Sequence, residues 1–425
     1  MFIIYDVIFL IFALVYLPIY LFRRKFHRGF IRRLGILPRD FKLERPIWIH
    51  AVSVGEAVTV KGLLEELRRT LPGKQFVIST ITPTGNKIAA RFAGEGDFVT
   101  YLPLDLSFIV RKVIQKINPS LFVIAETEIW PNLIHALHAS GIPVVTVNGR
   151  ISDASFRGYR VIKFLLKPVL DKINLFCMQS ERDAARLSRL GVVQDKIKIT
   201  GNMKFDAAGF TMESGQLLRC RELLGLGPAD KLVVYASTHR GEEEGLLQAY
   251  GRLEQAFSGL KLIIAPRHPE RAGQIQKLAL KYGFKPALIS RLGRQAGRPA
   301  GRQTVFILDS VGELMNYYAV ADIVFVGGSL VNKGGHNILE PAFLEKPILF
   351  GPHMSNFRDI AELFIKNKAA IMINQRELEK NIGVLLSNPE RGMELGRRAR
   401  QVILENQGAT ARNVQYLKQL CDIIG

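Results

Sequence analysis

Two carboxylates and a lysine follow predicted strands in the first half of the chain. Glu56, Glu126 and Lys204 each come shortly after a short apolar run. Because the carboxyl ends of parallel strands meet at one edge of a sheet, the three side chains are expected to share that edge. Together they would supply a base, a second carboxylate and a cation. These groups suit a reaction that transfers a proton and stabilises developing charge.

Each of these residues taken singly has a plainer interpretation. A glutamate in the first turn of a helix, as predicted for Glu56, interacts favourably with the helix dipole. Glu126 and Glu128 could simply help to begin the helix near Trp130, and Lys204 could be an ordinary surface lysine. Glu126 and Glu128 also occupy alternate positions, which point to opposite sides of an extended chain, so at most one of them is expected to face a given site. The shared sheet edge is what favours chemistry.

Glycine-rich and basic segments follow the predicted strands of the second half in the same way. They are residues 237–241 (STHRG), 265–271 (APRHPER), 309–314 (DSVGEL), 327–330 (GGSL) and 333–341 (KGGHNILEP). Glycines ahead of a helix allow backbone N–H groups to face a phosphate, and nearby Arg or Lys residues neutralise its charge. We expect Arg240 to contact a phosphate or a carboxylate. Glu340 could accept hydrogen bonds from ribose hydroxyls, as acidic residues do in nucleotide-binding folds.

Several common site motifs are missing from the sequence. No G-x-x-x-x-G-K-[ST] is present and no G-x-G-x-x-G follows a strand, which excludes a P-loop ATPase and an ordinary dinucleotide site. No two aspartates have D-x-D spacing. His135 and His138 could share one helical face, but the sequence offers them no acidic or cysteine partner. The sequence therefore predicts neither a metal site nor a cofactor.

Short apolar runs alternate with helical stretches from residue 46 onward. Near-continuous apolar strands are typical of parallel sheets covered on both faces. The alternation lapses at residues 207–228 and then resumes, so we predict an α/β protein with two doubly wound, Rossmann-like domains at 34–206 and 229–425, joined by a linker. The last helices of the second domain could pack back on the first. A ligand is expected in a cleft facing the carboxyl ends of both sheets.

Residues 1–33 predict an uncleaved membrane anchor with a basic flank. Residues 7–22 (VIFLIFALVYLPIYLF) form an unbroken apolar run, and about 20 such residues span a bilayer. Basic residues without an acidic one follow directly: Arg23, Arg24, Lys25, Arg28, Arg32 and Arg33. By the positive-inside rule, they place the rest of the chain on the cytoplasmic side. The alternatives are an interfacial helix and a buried core helix.

The chain is strongly basic, which predicts a negatively charged partner. Its 425 residues include 58 Lys and Arg against 38 Asp and Glu, a formal net charge of +20. No zinc-finger spacing, RNP motif or basic region leading into heptads is present, so nucleic acid is not the expected partner. Anionic lipid and phosphorylated small molecules remain. The cysteines, Cys177, Cys220 and Cys421, are scattered, which indicates a reducing compartment and no disulfide framework.

Several short segments, taken together and in order, resemble a known family. They are HAVSVGEA, TPTG, AETEIWPNLI, GNMKFD, STHRGEEE, PRHPER, VGEL, VGGSLVNKGGHNILEP, GPHMSNFRDI and ENQGA. With the predicted anchor, they are similar to the membrane-anchored 3-deoxy-D-manno-octulosonic acid (Kdo) transferases of Gram-negative lipopolysaccharide synthesis. The resemblance runs nearly from end to end. It implies the GT-B fold, in which two Rossmann-like domains face a cleft.

This resemblance implies a reaction and a set of residue roles. The family transfers Kdo from CMP-Kdo to the 6′-hydroxyl of a tetra-acylated lipid A precursor (lipid IVA), inverting the anomeric configuration without a metal at the active centre. By match of motifs, Glu56 is implied as the proton acceptor, and Glu126 and Lys204 as groups that stabilise the transition state. Contacts to CMP are implied at Pro266, Arg267, Val311, Gly312, Glu313, Asn337, Ile338, Leu339 and Glu340.

The resemblance also implies a location and partners. The expected partners are CMP-Kdo, the lipid acceptor and the anionic lipid of the inner membrane, with the catalytic domains on its cytoplasmic side. A phosphorylated amphiphile as acceptor would account for both the anchor and the net positive charge. Two other interpretations remain open. One is a GT-B transferase that uses a UDP-sugar on a lipid acceptor. The other is an inactive membrane-bound nucleotide sensor, which would bind CMP without depending on Glu56.

Overall fold

The protein is described from a computed structural model, which covers residues 5–7, 9–11, 15, 29–38, 41–52, 54–207, 214–292 and 304–424. The chain divides into two compact units, the first formed by Met1–Ala207 with Asn406–Gly425 and the second by Ala208–Glu405. Most of the predicted anchor at residues 7–22 lies outside the described residues. Within the described part of the chain, no helix has both the length and the apolar character that crossing a membrane requires.

A parallel sheet forms the centre of the first unit. Its strands are β1 (Ile47–His50), β2 (Phe76–Thr80), β3 (Phe98–Tyr101), β4 (Leu121–Ala125), β5 (Val144–Gly149), β6 (Leu175–Met178) and β7 (Ile197–Ile199). Their order is β3-β2-β1-β4-β5-β6-β7. The helices are α1 (Phe30–Arg33), α2 (Val54–Thr70), α3 (Pro83–Phe92), α4 (Ser107–Ile117), α5 (Pro131–Ala139), α6 (Asp153–Val161), α7 (Lys163–Leu170) and α8 (Glu181–Leu190).

Apolar burial on both faces explains why these short segments form strands. Every residue of β1, β2, β4, β5 and β6 is buried. Trp48 packs edge-on against Phe122 in the core on one face, whereas Ile47 and Ile49 belong to the core on the other face. Burying a side chain of this size contributes about 1.5–3 kcal/mol. The Trp48 indole N–H donates to Ser79 Oγ at 2.8 Å, so the buried polar atom is also satisfied.

The end of the chain completes the first unit. Helix α18 (Ala409–Ile424) packs against α2, and Val414 and Leu417 are buried in the same core cluster as Ile47. Asn413 Nδ2 donates to Thr200 Oγ1 at 3.1 Å. The C-terminal helix therefore helps to fix the strand edge at which Lys204 lies.

A second parallel sheet forms the centre of the second unit. Its strands are β8 (Lys231–Thr238), β9 (Leu260–Pro266), β10 (Ala287–Leu288), β11 (Val305–Ile307), β12 (Ile323–Val326), β13 (Ile348–Phe350) and β14 (Ile371–Met372). Their order is β10-β11-β9-β8-β12-β13-β14. The helices are α9 (Ser214–Leu223), α10 (Glu243–Ala256), α11 (Ala272–Lys281), α12 (Ile289–Leu292), α13 (Leu314–Val320), α14 (Leu339–Phe343), α15 (Arg358–Lys366), α16 (Leu378–Ser387) and α17 (Pro389–Asn406). Helix α9, within the predicted linker at 207–228, packs against α13.

Both sheets reverse their strand order at one place. In the first unit the chain crosses over between β1 and β4, and in the second between β8 and β12. Ligands of doubly wound folds bind outside the carboxyl ends of the strands at such a switch point, because the flanking connections leave in opposite directions and open a crevice. The two sheets confirm the predicted pair of doubly wound α/β domains. They also give each unit one preferred edge for a site.

Candidate active site

Glu56 lies at the switch point of the first unit, in the first turn of α2 directly after β1. Its side chain is half-buried, and its Oε2 accepts a hydrogen bond from the Val52 N–H at 2.6 Å. The carboxylate is thus held by backbone that immediately follows the strand. Glu56 thus occupies both predicted positions, the first turn of a helix and the carboxyl edge of the sheet. Ser53 lies outside the described residues.

Glu126 and Lys204 form an ion pair at the same end of the sheet. The Lys204 Nζ and Glu126 Oε1 atoms are 3.0 Å apart, and both side chains are partly buried. Glu126 directly follows β4 and has a left-handed backbone with φ of 60°, which is uncommon for a residue with a side chain. Its N–H donates to the Val147 carbonyl at 2.9 Å, which keeps the turn next to β5. The structure therefore brings these two predicted site residues together.

Hydrogen bonds to three side chains, those of Asn202, Asn148 and Asp206, fix the segment that carries Lys204. The lysine belongs to a 3-10 helix (Met203–Phe205) that Asn202 caps by accepting from the Lys204 N–H at 3.0 Å. The Met203 N–H donates to Asn148 Oδ1, at the end of β5, at 2.9 Å. Asp206 accepts from the Gly408 and Thr410 N–H groups, at 2.6 Å each, and so caps the last helix. The GNMKFD and ENQGA segments hold each other in place.

Glu128 joins this site, although the sequence pattern did not predict it. The pKa of Glu128 is raised to about 7, mainly by burial and next by the charge of Glu56; the Trp130 indole opposes the shift and the charge of Glu126 contributes to it. The expectation that only one of Glu126 and Glu128 faces a given site assumed an extended chain. The left-handed turn at Glu126 breaks that alternation. The E-T-E spacing was the available sequence signal for Glu128, but it does not predict the left-handed turn at Glu126.

His50, which begins the HAVSVGEA segment, is a core residue. It is fully buried, and its Nδ1 is 3.0 Å from both the carbonyl oxygen and the Oγ of Ser79. Burial lowers the pKa of His50 to about 3; the hydrogen bond to the Ser79 backbone opposes this shift and the charge of Arg33 adds to it. The imidazole is therefore neutral near pH 7. The ring packs in the core, edge-on to Trp130 with ring centroids 6.4 Å apart.

In the second unit, Glu242 fills the loop that the sequence suggested for a phosphate. Its carboxylate accepts from the Gly328, Ser329 and Leu330 N–H groups at 2.8, 3.1 and 2.9 Å, and from the His239 N–H at 2.9 Å. The side chain is buried. The interpretation of residues 327–330 as a phosphate-binding loop is therefore wrong, because the protein supplies its own anion there.

Replacing Glu242 with Ala is expected to lower the free energy of unfolding by about 3 kcal/mol, because buried N–H groups lose their acceptor. Urea unfolding of the full chain measures this change, and faster amide hydrogen exchange at residues 327–330 would locate it. Glu244→Ala is the matched control, since Glu244 is exposed and a change within about 0.5 kcal/mol is expected. Equal stability and exchange in the two variants would contradict the assigned role of Glu242.

Two histidines pair at the switch point of the second unit. His239 Nε2 and His336 Nε2 are 2.8 Å apart, and the ring planes are parallel to within 3° with centroids 5.1 Å apart, so the rings meet edge to edge and one imidazole donates a hydrogen bond to the other. Burial, followed by the charges of His239, Arg267 and His268, lowers the pKa of His336 to about 4. Burial also lowers the pKa of His239. Both rings are therefore neutral near pH 7, and the positive charges that act on them include those of Arg267, Arg271 and Lys333.

The predicted nucleotide contacts lie around the same edge of the second sheet. Arg240 and Arg267 are exposed, and Pro266 is buried at the end of β9. Exposed residues that precede α13 include Val311, Gly312 and Glu313. The structure thus keeps both guanidinium groups accessible to solvent while their strands are packed in the core.

The 337–340 segment presents backbone and polar groups rather than apolar side chains. Ile338 and Leu339 are buried, so a ligand could reach only their main chain. Asn337 Nδ2 donates to Glu340 Oε1 at 3.1 Å, and the Leu339 N–H donates to Asn337 Oδ1 at 3.0 Å. Burial raises the pKa of Glu340, and the Asn337 amide opposes that shift. The carboxylate is an acceptor that is already held in one orientation.

The cysteines and the possible metal-ligating side chains are the other candidate groups for a site. Cys177, Cys220 and Cys421 are free thiols. Among the described residues, no group of three or more His, Cys, Asp or Glu side chains is arranged to hold a metal ion.

Solved structures with the same architecture define the class of fold. A UDP-GlcNAc 2-epimerase from Neisseria meningitidis is 13% identical, with 88% of this chain and 100% of that chain covered and a TM-score of 0.62. A glycosyltransferase from Rickettsia africae is 15% identical, with 89% and 99% covered and a TM-score of 0.59. At this identity they show the fold alone. It is the GT-B arrangement of two parallel-sheet α/β domains.

Sequence relatives then decide the family. Residues 28–207 match the family described as 3-deoxy-D-manno-octulosonic-acid transferase (kdotransferase). The 3-deoxy-D-manno-octulosonic acid transferase of Haemophilus influenzae is 36% identical over 375 residues, which cover 88% of this chain and 86% of that protein. The chain belongs to the Kdo transferase family and is a glycosyltransferase. The resemblance drawn from the motifs is confirmed.

Proposed function

We propose that the protein transfers Kdo from CMP-Kdo to a hydroxyl of a tetra-acylated lipid A precursor (lipid IVA), by a single displacement that inverts the anomeric configuration. The observation that carries the proposal is the position of the Glu56 carboxylate, which a backbone hydrogen bond holds at the switch point of the first sheet. Glu56 has one oxygen bound by the Val52 N–H at 2.6 Å, and it lies near Glu128. The Glu126–Lys204 pair, 3.0 Å apart, lies at the same edge.

In this proposal Glu56 is the general base. The acceptor hydroxyl attacks the anomeric carbon of Kdo, the bond from that carbon to the CMP phosphate oxygen breaks, and Glu56 takes the hydroxyl proton. CMP leaves with the bonding electron pair. Positive charge develops on the sugar ring, as in other glycosyl transfers, and Glu126 stabilises it. Lys204 offsets the negative charge of the carboxylates and of the departing phosphate.

The second unit is the proposed donor-binding domain. Arg240 and Arg267 are exposed at the ends of neighbouring strands, and a guanidinium group suits the CMP phosphate or the Kdo carboxylate. Glu340 is held by Asn337 and would accept from the ribose hydroxyls. The exposed residues 311–313 are proposed to contact the rest of the nucleotide.

The proposed acceptor also gives the N-terminal segment a role. The apolar residues 7–22 are proposed to anchor the protein in the inner membrane, with the catalytic units on the cytoplasmic side. The basic residues between 23 and 33 would then guide the phosphorylated headgroup of the acceptor toward Glu56. Net positive charge elsewhere on the chain would act in the same direction.

Incubating the purified full chain with lipid IVA and either CMP-Kdo or UDP-N-acetylglucosamine tests the proposed substrates. We expect mass spectrometry of the lipid to show added Kdo with CMP-Kdo and no addition with the UDP-sugar. A reaction without acceptor serves as the control for donor hydrolysis. Sugar addition from the UDP donor would contradict the proposed donor, and binding of CMP without any product would favour a nucleotide sensor instead.

A further inference from the structure

The corner between helices α6 and α7 exposes a run of apolar side chains. Residues 161–165 are all exposed, and apolar residues fill four of these five positions: Val161, Ile162, Phe164 and Leu165. The exposed fraction reaches 79% for Val161 and 73% for Phe164. A contiguous exposed group of large apolar side chains marks an interaction surface, because its contact with water is unfavourable and a partner would remove that contact. Residues 157–167 are called the α6–α7 corner below.

These exposed side chains are separate from the core face of the same helices. Leu166, Val169 and Leu170 of α7 are buried in the core of the first unit. Phe156 and Tyr159 of α6 pack against that core and are partly buried. The two helices are therefore already anchored by one face. The outward face is not required by the packing of the unit.

Basic side chains surround the outward face. The segment 150–172 contains six basic residues against two acidic ones. Arg157, Arg160 and Lys163 are exposed, whereas Asp153 and Asp171 form ion pairs with nearby basic side chains. An apolar centre with a cationic rim complements an anionic bilayer. The apolar groups enter the boundary between headgroups and acyl chains, and the cations contact lipid phosphates.

Helix α6 also leads from this corner to the catalytic edge. Tyr159 packs partly into the core of the first unit, next in sequence to Arg160. The Arg150 N–H, three residues before α6, donates to Thr127 Oγ1 at 2.9 Å, and Thr127 lies between Glu126 and Glu128. Burial, followed by the charge of Glu128, also raises the pKa of Tyr159. Helix α6 therefore begins near the segment that carries the carboxylates and ends at Val161, the first residue of the exposed run, whereas Phe164 and Leu165 belong to α7.

We propose that the α6–α7 corner is a membrane-contact surface, which inserts Val161, Phe164 and Leu165 into the headgroup region of an anionic bilayer and presents a lipid acceptor to Glu56. The presentation of the acceptor rests on the proposed function. The contact with the bilayer does not, and it is measured without any substrate. The corner is distinct in sequence from the apolar residues 7–22.

Tryptophan fluorescence of the full chain tests the contact. Phe164→Trp is mixed with vesicles of phosphatidylethanolamine and phosphatidylglycerol, with or without bromine on the acyl chains, and the signal of the parent protein is subtracted. We expect the new tryptophan to shift to the blue and to lose about half of its emission to brominated lipid. Leu280→Trp, at a position with 57% exposure in α11, is the matched control and should remain unquenched. Equal quenching at the two positions would overturn the proposal. A blue shift without vesicles would also overturn it, because it would show that another copy of the protein buries the corner in solution.

Kinetics of the Val161→Ser/Phe164→Ser variant test the presentation of the acceptor. We expect KM for acceptor embedded in the same vesicles to rise about fivefold, with kcat unchanged, because less apolar surface enters the bilayer. KM for a short-chain, water-soluble acceptor should stay unchanged, and Leu280→Ser should behave like the parent. Unchanged KM on vesicles would overturn the presentation. If the parent forms no Kdo product at all, the proposed function fails, while the quenching result still decides the membrane contact.

Discussion

Replacing Glu56 with Gln is expected to lower the rate of Kdo transfer by about 10³-fold, because a positioned general base contributes on the order of 10²–10⁴ to such a reaction. Gln keeps the size of the side chain and can still interact with the Val52 backbone, but it cannot accept the hydroxyl proton. Affinity for CMP should remain unchanged, because Glu56 lies in the first unit and the proposed nucleotide contacts lie in the second. Initial rates by mass spectrometry of the lipid product, with CMP binding by calorimetry, measure both quantities.

Glu65→Gln is the matched control for this experiment. Glu65 lies on the same helix as Glu56 and its side chain is 59% exposed, in an i,i+4 ion pair with Lys61 at 3.7 Å. An exposed pair of this kind contributes little to stability, so the control variant should transfer Kdo at the rate of the parent. A Glu56→Gln variant that keeps full activity would remove Glu56 from the mechanism. A variant that loses CMP binding would indicate a structural role instead.

Glu128→Gln is expected to change how the transfer rate depends on pH. The pKa of Glu128, raised to about 7, means that the parent carries a neutral carboxyl below that pH and a carboxylate above it. The ionised form increases the proton affinity of Glu56 and makes it a stronger base. We therefore expect the parent rate to rise as the pH passes about 7. The variant, which resembles the neutral form, should lack this rise and be about tenfold slower at about pH 8 but equal at about pH 6.

The stability of the same variant provides an independent measurement. Since the pKa of Glu128 is raised from 4.5 to about 7, the folded protein binds this proton more tightly than the unfolded chain does. The free energy of unfolding of the parent therefore falls as the pH rises between these two values. Glu128→Gln removes that contribution and should gain about 1–3 kcal/mol relative to the parent between about pH 5 and about pH 8. If the variant and the parent showed the same pH dependence of the transfer rate and the same pH dependence of the free energy of unfolding, the assigned environment of Glu128 would be contradicted.

The amino-acid sequence by itself determined the two-sheet architecture and most of the candidate site. Near-continuous apolar runs such as residues 121–125 are typical of parallel strands that are covered on both faces. The alternation of such runs with helices then predicts doubly wound domains. Residues that follow strands, such as Glu56, Glu126 and Lys204, must fall at the carboxyl edge. The sequence is sufficient here because each inference depends on local order along the chain.

Only the tertiary structure decided how these groups are used. Glu242 accepts hydrogen bonds from amides 86–88 residues away, in the loop at 328–330. The local sequence of that loop therefore could not show that its N–H groups are unavailable to a ligand. A single left-handed residue, Glu126, turns the chain so that Glu128 joins the carboxylates. The exposure of residues 161–165 likewise depends on which face of α7 the core covers. Apolar pattern fixes what is buried on average, whereas hydrogen-bond partners, pKa values and exposed faces arise from contacts between distant segments.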